Sequence, residues 1–327
     1  MALLGVVPSF NCKPMDKKLA FIFAGQGSQY QGMGLDFEDV YPEVSSLRHK
    51  ADDILGFHTR EIIEQGNELL HQTRFTQPLV LLSSIYIYEA IKKLGVKPSG
   101  VLGFSLGEYT ALYAASIFSF QEIVELINAR ALMMEQASLR HQGQMAAVIG
   151  LSAEQVDDMC KQLEGPIYPA NYNSLQQTVI SGTVDMISKA EQEAKAFGVK
   201  RLIKLNVSGA FHSPLMEEAS LQFEKFLQLY APKEAIYEVF LNTTGSLLEP
   251  HKLKDEMVKQ IISPVQFVKA IQSMKASGYT HFVEIGPGTT LSGLIKKIDS
   301  DLEVTHVEKV IDIEHLKGWF EQHGFIQ

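Results

Sequence analysis

Apolar positions fall into short unbroken runs separated by longer stretches of helical spacing. Lys18-Leu19-Ala20-Phe21-Ile22-Phe23 has the pattern of a buried strand and feeds a glycine-rich turn, Ala24-Gly25-Gln26-Gly27-Ser28-Gln29. Tyr41 to Leu55 and His58 to Leu70 predict two helices with polar faces. Thr76-Gln77-Pro78 predicts the start of a strong helix, with Thr76 as N-cap and Pro78 in the first turn. That helix runs to about Leu94, is apolar on most faces and is therefore expected to be buried; Gly95 stops it. A second short apolar run, Val101-Leu102, precedes a helical run from Glu108 to Phe118. Strand–helix alternation of this kind predicts an α/β fold with a parallel sheet.

Phe120 to Ala137 is the next predicted helix, with Ile123, Ile127, Arg130 and Met134 on one face. After His141-Gln142-Gly143 the texture changes. Met145–Leu151 reads as a strand, Ser152–Leu163 as a helix capped by Ser152, and Ile167–Ala170 and Thr178–Ser181 as strands. Val184–Phe197 reads as a helix broken by Gly198, and Arg201–Asn206 as a strand. The order β-α-β-β-α-β is that of a ferredoxin-like unit. It predicts a small domain over 142–207, inserted into a large domain formed by 15–141 plus 208–327. Further along, Leu215–Tyr230 reads as a helix, as do Leu253 to about Ile262 and Val265–Ala276. Val239–Asn242 and Phe282–Ile285 read as late strands. Met1 to Pro14 is set apart as a tag, a leader or an early start.

Composition narrows the class. A chain of 327 residues with 46% hydrophobic residues has enough apolar material for a sizeable core, in one large domain or two smaller ones. No run reaches the roughly 18 apolar residues a membrane helix needs, so no membrane is expected as partner. The net charge of −9 argues against nucleic acid. Two cysteines, Cys12 and Cys160, make no metal or disulfide framework, and no His-x-x-x-His or Cys-x-x-Cys spacing occurs, so no metal is expected.

One stretch carries candidate chemistry. Gly103-Phe104-Ser105-Leu106-Gly107 lies between the Val101-Leu102 strand and the following helix and fits a Gly-x-Ser-x-Gly elbow. Such a turn exposes the serine hydroxyl above a helix N-terminus, where developing negative charge is favoured. The glycine-rich turn at 24–29 lacks the third glycine and the later acidic residue of a dinucleotide site, but its backbone N–H groups could serve an oxyanion. Arg130 on its apolar stripe either snorkels outward or pairs with Glu135, or is a buried cation waiting for an anionic ligand. His212, in Ala210-Phe211-His212-Ser213-Pro214, is either a loop histidine or the base for Ser105.

Together these motifs resemble the malonyl-CoA:acyl-carrier-protein transacylases, the acyltransferase family of fatty-acid and polyketide synthesis. The match runs from about Leu19 to Lys297. It rests on Gly25-Gln26-Gly27-Ser28-Gln29, on Gly103 to Glu108, on Ala210-Phe211-His212-Ser213 and on Glu284-Ile285-Gly286-Pro287-Gly288. Asn171-Tyr172-Asn173-Ser174 and Ser263-Pro264-Val265-Gln266 support it.

The resemblance implies a hydrolase-like large domain and a monomer without cofactor, with malonyl-CoA as substrate and the phosphopantetheine thiol of an acyl carrier protein as acceptor; the sparse cysteine usage suits a cytoplasmic location. It implies Ser105 as acylated nucleophile, His212 as base, and the backbone N–H groups of Gln26 and Leu106 as oxyanion hole. Arg130 would bind the malonyl carboxylate, and the main-chain carbonyl of Gln260 would orient the histidine. Phe211 would occupy the space that an α-methyl on the extender unit needs. Phe104 departs from the pattern, since the family usually has histidine before the nucleophile. A proofreading acyl-thioester hydrolase and a non-catalytic docking module are the competing expectations. Lys195, Lys200, Arg201 and Lys204, with Lys296 and Lys297, are candidate contacts for the carrier.

Overall fold

The structure is a computed structural model and describes residues 17–207 and 209–326. The leader reading of 1–14 lies outside the described residues. Nine strands occur among them: β1 (Lys18–Phe23), β2 (Gly100–Gly103), β3 (Gly143–Ile149), β4 (Ile167–Ser174), β5 (Gln177–Thr183), β6 (Arg201–Lys204), β7 (Glu238–Phe240), β8 (Tyr279–Ile285) and β9 (Glu303–Val307). Five form an all-parallel sheet in the order β7-β2-β1-β8-β9, and four form an antiparallel sheet in the order β4-β5-β3-β6. The fold is therefore α/β, with a hydrolase-like parallel sheet and a ferredoxin-like antiparallel sheet whose strands all come from 143–204.

β1 is continuously apolar because both its faces are covered. Its side chains alternate between two cores. Leu19, Phe21 and Phe23 pack with the Thr73–Lys92 helix and the elements around it. Ala20 and Ile22 pack with Phe267, Ile271, Leu291 and Ile295 on the opposite face. The antiparallel sheet uses the same period of two. Ala146, Val148 and Ile180 face the helices Ala153–Gln162 and Val184–Glu193. Met145, Ala147 and Val179 face the other way and line a cleft between the two sheets. Backbone bonds from Tyr172 N–H to Val265 O (2.9 Å) and from Val265 N–H to Ala170 O (2.8 Å) tie edge strand β4 to the larger sheet's layer.

Several boundaries differ from the sequence reading. The helix expected to start at Thr76 starts at Thr73, and Pro78 lies inside it. Thr76 is buried, and its hydroxyl donates back to Leu70 O at 2.7 Å rather than capping. Burial of Thr73, Thr76 and Gln77 outweighs the local proline signal. His58–Leu70 is not one helix. It breaks at Gly66, whose φ of 58° is left-handed, into Thr59–Gln65 and a 3-10 turn at Glu68–His71. The Phe120–Arg140 helix keeps its start through a capping box of Ser119 and Glu122. Strand β9 has no counterpart in the sequence reading; its exposed, polar edge hides the pattern.

Candidate functional site

β2 ends in the elbow. A Cβ on Gly103 would overlap the Gly107 carbonyl, and one on Gly107 would run into the carbonyl oxygens of Phe23 and Ala24. The strand and the Gly107–Ala114 helix close up only without those side chains. Ser105 sits between them with φ of 53°, a left-handed conformation rare for a non-glycine residue. Both sides of its peptide are held. Its N–H donates to Asn242 Oδ1 at 2.7 Å, and its carbonyl accepts from Gln260 Nε2 at 2.9 Å.

His212 arrives on the loop after Gly209, also with a left-handed φ of 56°. Its Nε2 lies 2.7 Å from Ser105 Oγ, and its Nδ1 lies 2.8 Å from the main-chain oxygen of Gln260. A carbonyl can only accept, so Nδ1 carries the proton and Nε2 is free to accept from the serine hydroxyl. Burial, then the nearby Arg130 charge, push the imidazole down to about 4. At neutral pH it is an uncharged base.

Arg130 is 1% exposed. Nη1 donates to Gln77 Oε1 at 2.6 Å, and Nη2 donates to Gln260 Oε1 at 2.9 Å and faces Ser105 Oγ at 3.5 Å. Its guanidinium carbon lies 5.5 Å from the Tyr109 ring centroid, and Nε has no partner among the described residues. The snorkelling and Glu135 readings both fail. The Glu135 carboxylate instead accepts from the Arg74 N–H at 3.3 Å. The Arg130 side-chain hydrogen bonds go to neutral amides, burial presses its pKa below the ordinary value, and Tyr109 and Glu108 act on it electrostatically.

Arg130, Ser105 and His212 line one cleft of about 470 Å³ with Gln26 and Phe211. Among the described residues, the backbone N–H groups of Gln26 and Leu106 donate to no group of the chain. The side chain of Leu106 is buried; its amide stands at the N-terminus of the elbow helix. Phe104 also lines the cleft, edge-on to Phe267 with ring centroids 5.4 Å apart. The usual histidine position is thus an apolar wall in this chain.

A family model described as "Acyl transferase domain" matches residues 20–312. The chain belongs to that family. The acyl transferase is 37% identical over 311 residues to the malonyl CoA-acyl carrier protein transacylase of Staphylococcus aureus (strain MRSA252), covering 93% of this chain and 99% of the relative. It is 38% identical over 302 residues to the protein of the same name from Bacillus subtilis (strain 168), covering 91% and 95%. Among solved structures it matches the Streptococcus pneumoniae MCAT with a TM-score of 0.88 and 38% identity, over 92% of this chain and all of that one. It also matches a malonyl-transacylase solved in complex with its type II PKS acyl-carrier protein, with a TM-score of 0.89 and 31% identity over 92% and 99%.

Three contributors to the acyl transferase site escaped sequence reasoning. Gln77 carries no sequence signal beyond a helix start, yet it accepts from Arg130. Asn242 has the sequence pattern of a strand end. Its position at the carboxyl end of β7, where parallel sheets gather their sites, was the available signal. Glu108 follows the elbow motif with no role legible from the sequence. It is 1% exposed beneath the elbow. The Gln260 side chain also does more than the sequence suggested, contacting Ser105, Arg130 and Glu108. Among the described residues no three His, Cys, Asp or Glu side chains gather as a metal-binding group, and no helix is long and apolar enough to cross a membrane.

Proposed function

We propose that this acyl transferase moves malonyl from malonyl-CoA to the phosphopantetheine thiol of an acyl carrier protein through a serine ester. The carrying observation is Arg130: a buried guanidinium 3.5 Å from the Ser105 hydroxyl, with amide partners and no carboxylate of its own. A free carboxylate on the acyl group is the ligand that such a fork fits. The names of the relatives support the same substrate and acceptor.

In this reading His212 Nε2 takes the Ser105 proton as Oγ attacks the thioester carbonyl. The resulting oxyanion accepts from the Gln26 and Leu106 N–H groups. Losing one such donor typically slows the reaction on the order of a hundredfold or more. The protonated imidazole returns its proton to the departing CoA thiolate. Malonyl remains as the Ser105 ester while the carrier thiol enters, gives its proton to His212 and attacks in turn. Arg130 selects the acyl group and fixes its orientation across both halves. Gln260 keeps the imidazole in its reactive tautomer through its carbonyl.

A hydrolase would pass the ester to water, and a buried cation beside the nucleophile offers a hydrolase of neutral acyl thioesters nothing. The reading also places the enzyme in the cytoplasm, without a cofactor, and divides the chain into a large unit (15–141 plus 208–327) and an inserted small one (142–207). The test is transfer of radiolabelled malonyl from malonyl-CoA to Ser105 and then to carrier protein, against a panel of acyl-CoAs. Label that reaches the serine but is released only to water would favour the hydrolase.

A further inference from the structure

We propose that Glu108 is a positioning residue for acyl transfer, setting which way two buried amides point and through them aligning Ser105 and Arg130. This rests on the malonyl-transfer reading above.

The carboxylate meets three N–H groups. Oε2 accepts from the main-chain N–H and the Nδ2 of Asn242, both at 2.7 Å, and Oε1 accepts from Gln260 Nε2 at 3.1 Å. An amide side chain has nearly the same shape either way round, so its surroundings decide which end is oxygen. Glu108 in its ionised form only accepts, and together with the Gly103 carbonyl on Asn242 Nδ2 (2.7 Å) and the Ser105 carbonyl on Gln260 Nε2 it turns both amide nitrogens inward. Their oxygens then point at the reacting groups: Asn242 Oδ1 to the Ser105 N–H, Gln260 Oε1 to Arg130 Nη2. Gln260 Nε2 also reaches the Ser105 carbonyl, so the left-handed serine is braced on both sides by groups that Glu108 helps to orient.

The two branches act differently. The Asn242 branch holds the nucleophile's backbone and bears on every acyl group alike. The Gln260 branch supplies one of the two side-chain oxygens that hold the guanidinium, and bears on acyl groups carrying a carboxylate. Burial and fully satisfied geometry make such a network sensitive to a single wrong donor.

Glu108→Gln is the test. The new amide can still accept both Asn242 bonds, but its NH2 then faces the Gln260 NH2. The two amino groups repel, and the Gln260 amide is pushed out of register with Arg130. Malonyl-CoA over acetyl-CoA preference, read as the ratio of kcat/KM values for Ser105 acylation, is expected to fall at least tenfold, with the acetyl value falling less. Asn242→Ala should slow malonyl and acetyl alike and leave the ratio within about twofold; it also serves as the test if Glu108→Gln does not fold. An unchanged ratio in Glu108→Gln or a changed ratio in Asn242→Ala would overturn the proposal. Wild-type protein is measured alongside. If it takes no malonyl at all, the proposed function fails instead, and the two failures are distinct.

Discussion

His212 is oriented by a peptide carbonyl rather than a carboxylate: its Nδ1 donates to the main-chain oxygen of Gln260 at 2.8 Å. A carbonyl fixes the tautomer as well as a carboxylate would, but it adds no negative charge to stabilise an imidazolium. With Arg130 nearby and no anion behind the ring, the imidazole stays uncharged well below neutrality. The base is therefore ready at rest, and the energetic burden falls on the protonated state formed during attack.

Ser105→Ala is expected to abolish the covalent malonyl adduct, with turnover falling by a factor on the order of a million, as for a nucleophile acting in concert with its base. The fold should persist, since alanine carries the same backbone requirement and the Asn242 and Gln260 bonds to the peptide remain. Intact-mass spectrometry after incubation with malonyl-CoA reads the result. An adduct retained by the variant would move the nucleophile elsewhere.

Arg130→Ala should cost malonyl transfer about 2–5 kcal/mol, the range for truncating one partner of a buried charge pair, and should favour acyl groups without a carboxylate. It also strands the side-chain oxygens of Gln77 and Gln260, lowering stability by about 1–3 kcal/mol. Lysine should rescue poorly, because one ammonium cannot hold both amides and a carboxylate with the geometry of a planar fork. Kinetics with malonyl-CoA and acetyl-CoA, alongside urea denaturation, check both parts; retained malonyl preference would remove the carboxylate role.

The pH dependence separates two buried groups. Burial pushes Glu108 up to about 7 against the opposing pull of its Asn242, Arg130 and Gln260 neighbours, while His212 is pushed down to about 4. As pH falls through about 7, Glu108 takes a proton that none of its three N–H partners can accept, and malonyl acylation should decline. In Glu108→Gln that limb should vanish, leaving a lower rate that stays flat until His212 protonates near 4. The two groups act oppositely on stability. Glu108, raised from 4.5, contributes most below 4.5 and loses this as pH rises through 7. His212, lowered from 6.5, contributes most above 6.5 and loses this as pH falls through 4. A limb near 6.5 that survives in Glu108→Gln would assign it to His212.

Phe211 is 5% exposed and lines the cleft beside His212. Phe211→Ser is expected to raise methylmalonyl over malonyl turnover by about ten- to two-hundredfold, the worth of one methyl in a tight pocket. Competition between the two CoA thioesters, read as the ratio of acylated carrier products, decides it. Equal loss with both, accompanied by lowered thermal stability, would make the ring only an anchor of the loop.

Carrier docking is expected at the exposed β6 end of the antiparallel sheet. Lys195, Lys200, Arg201 and Lys204 are all exposed there, and Lys204 already pairs with Glu191 at 2.7 Å. Lys200→Glu with Arg201→Glu should weaken transfer to an acidic carrier and flatten its salt dependence, with acylation by malonyl-CoA spared. Unchanged transfer at low salt would shift the docking surface, with Lys296 and Lys297 next in line.

The sequence by itself determined the pieces whose causes are local. Period and length marked β1 as a buried strand, Ser152 sits where capping chemistry starts a helix, and the β-α-β-β-α-β order between 143 and 204 specified an antiparallel unit. Gly103 and Gly107 marked the elbow because close approach tolerates no side chain there. Arg130 on an apolar stripe was visible, but its partner was not: spacing along one helix offered Glu135, whereas Gln77 and Gln260 come from 53 and 130 residues away. Asn242, Glu108 and the Gln260 side chain acquire meaning only when β7, the elbow helix and the Leu253–Gln260 helix converge beneath Ser105. Hydrogen-bond direction in a buried network depends on which donors and acceptors meet across the fold, and that meeting is decided by tertiary packing alone.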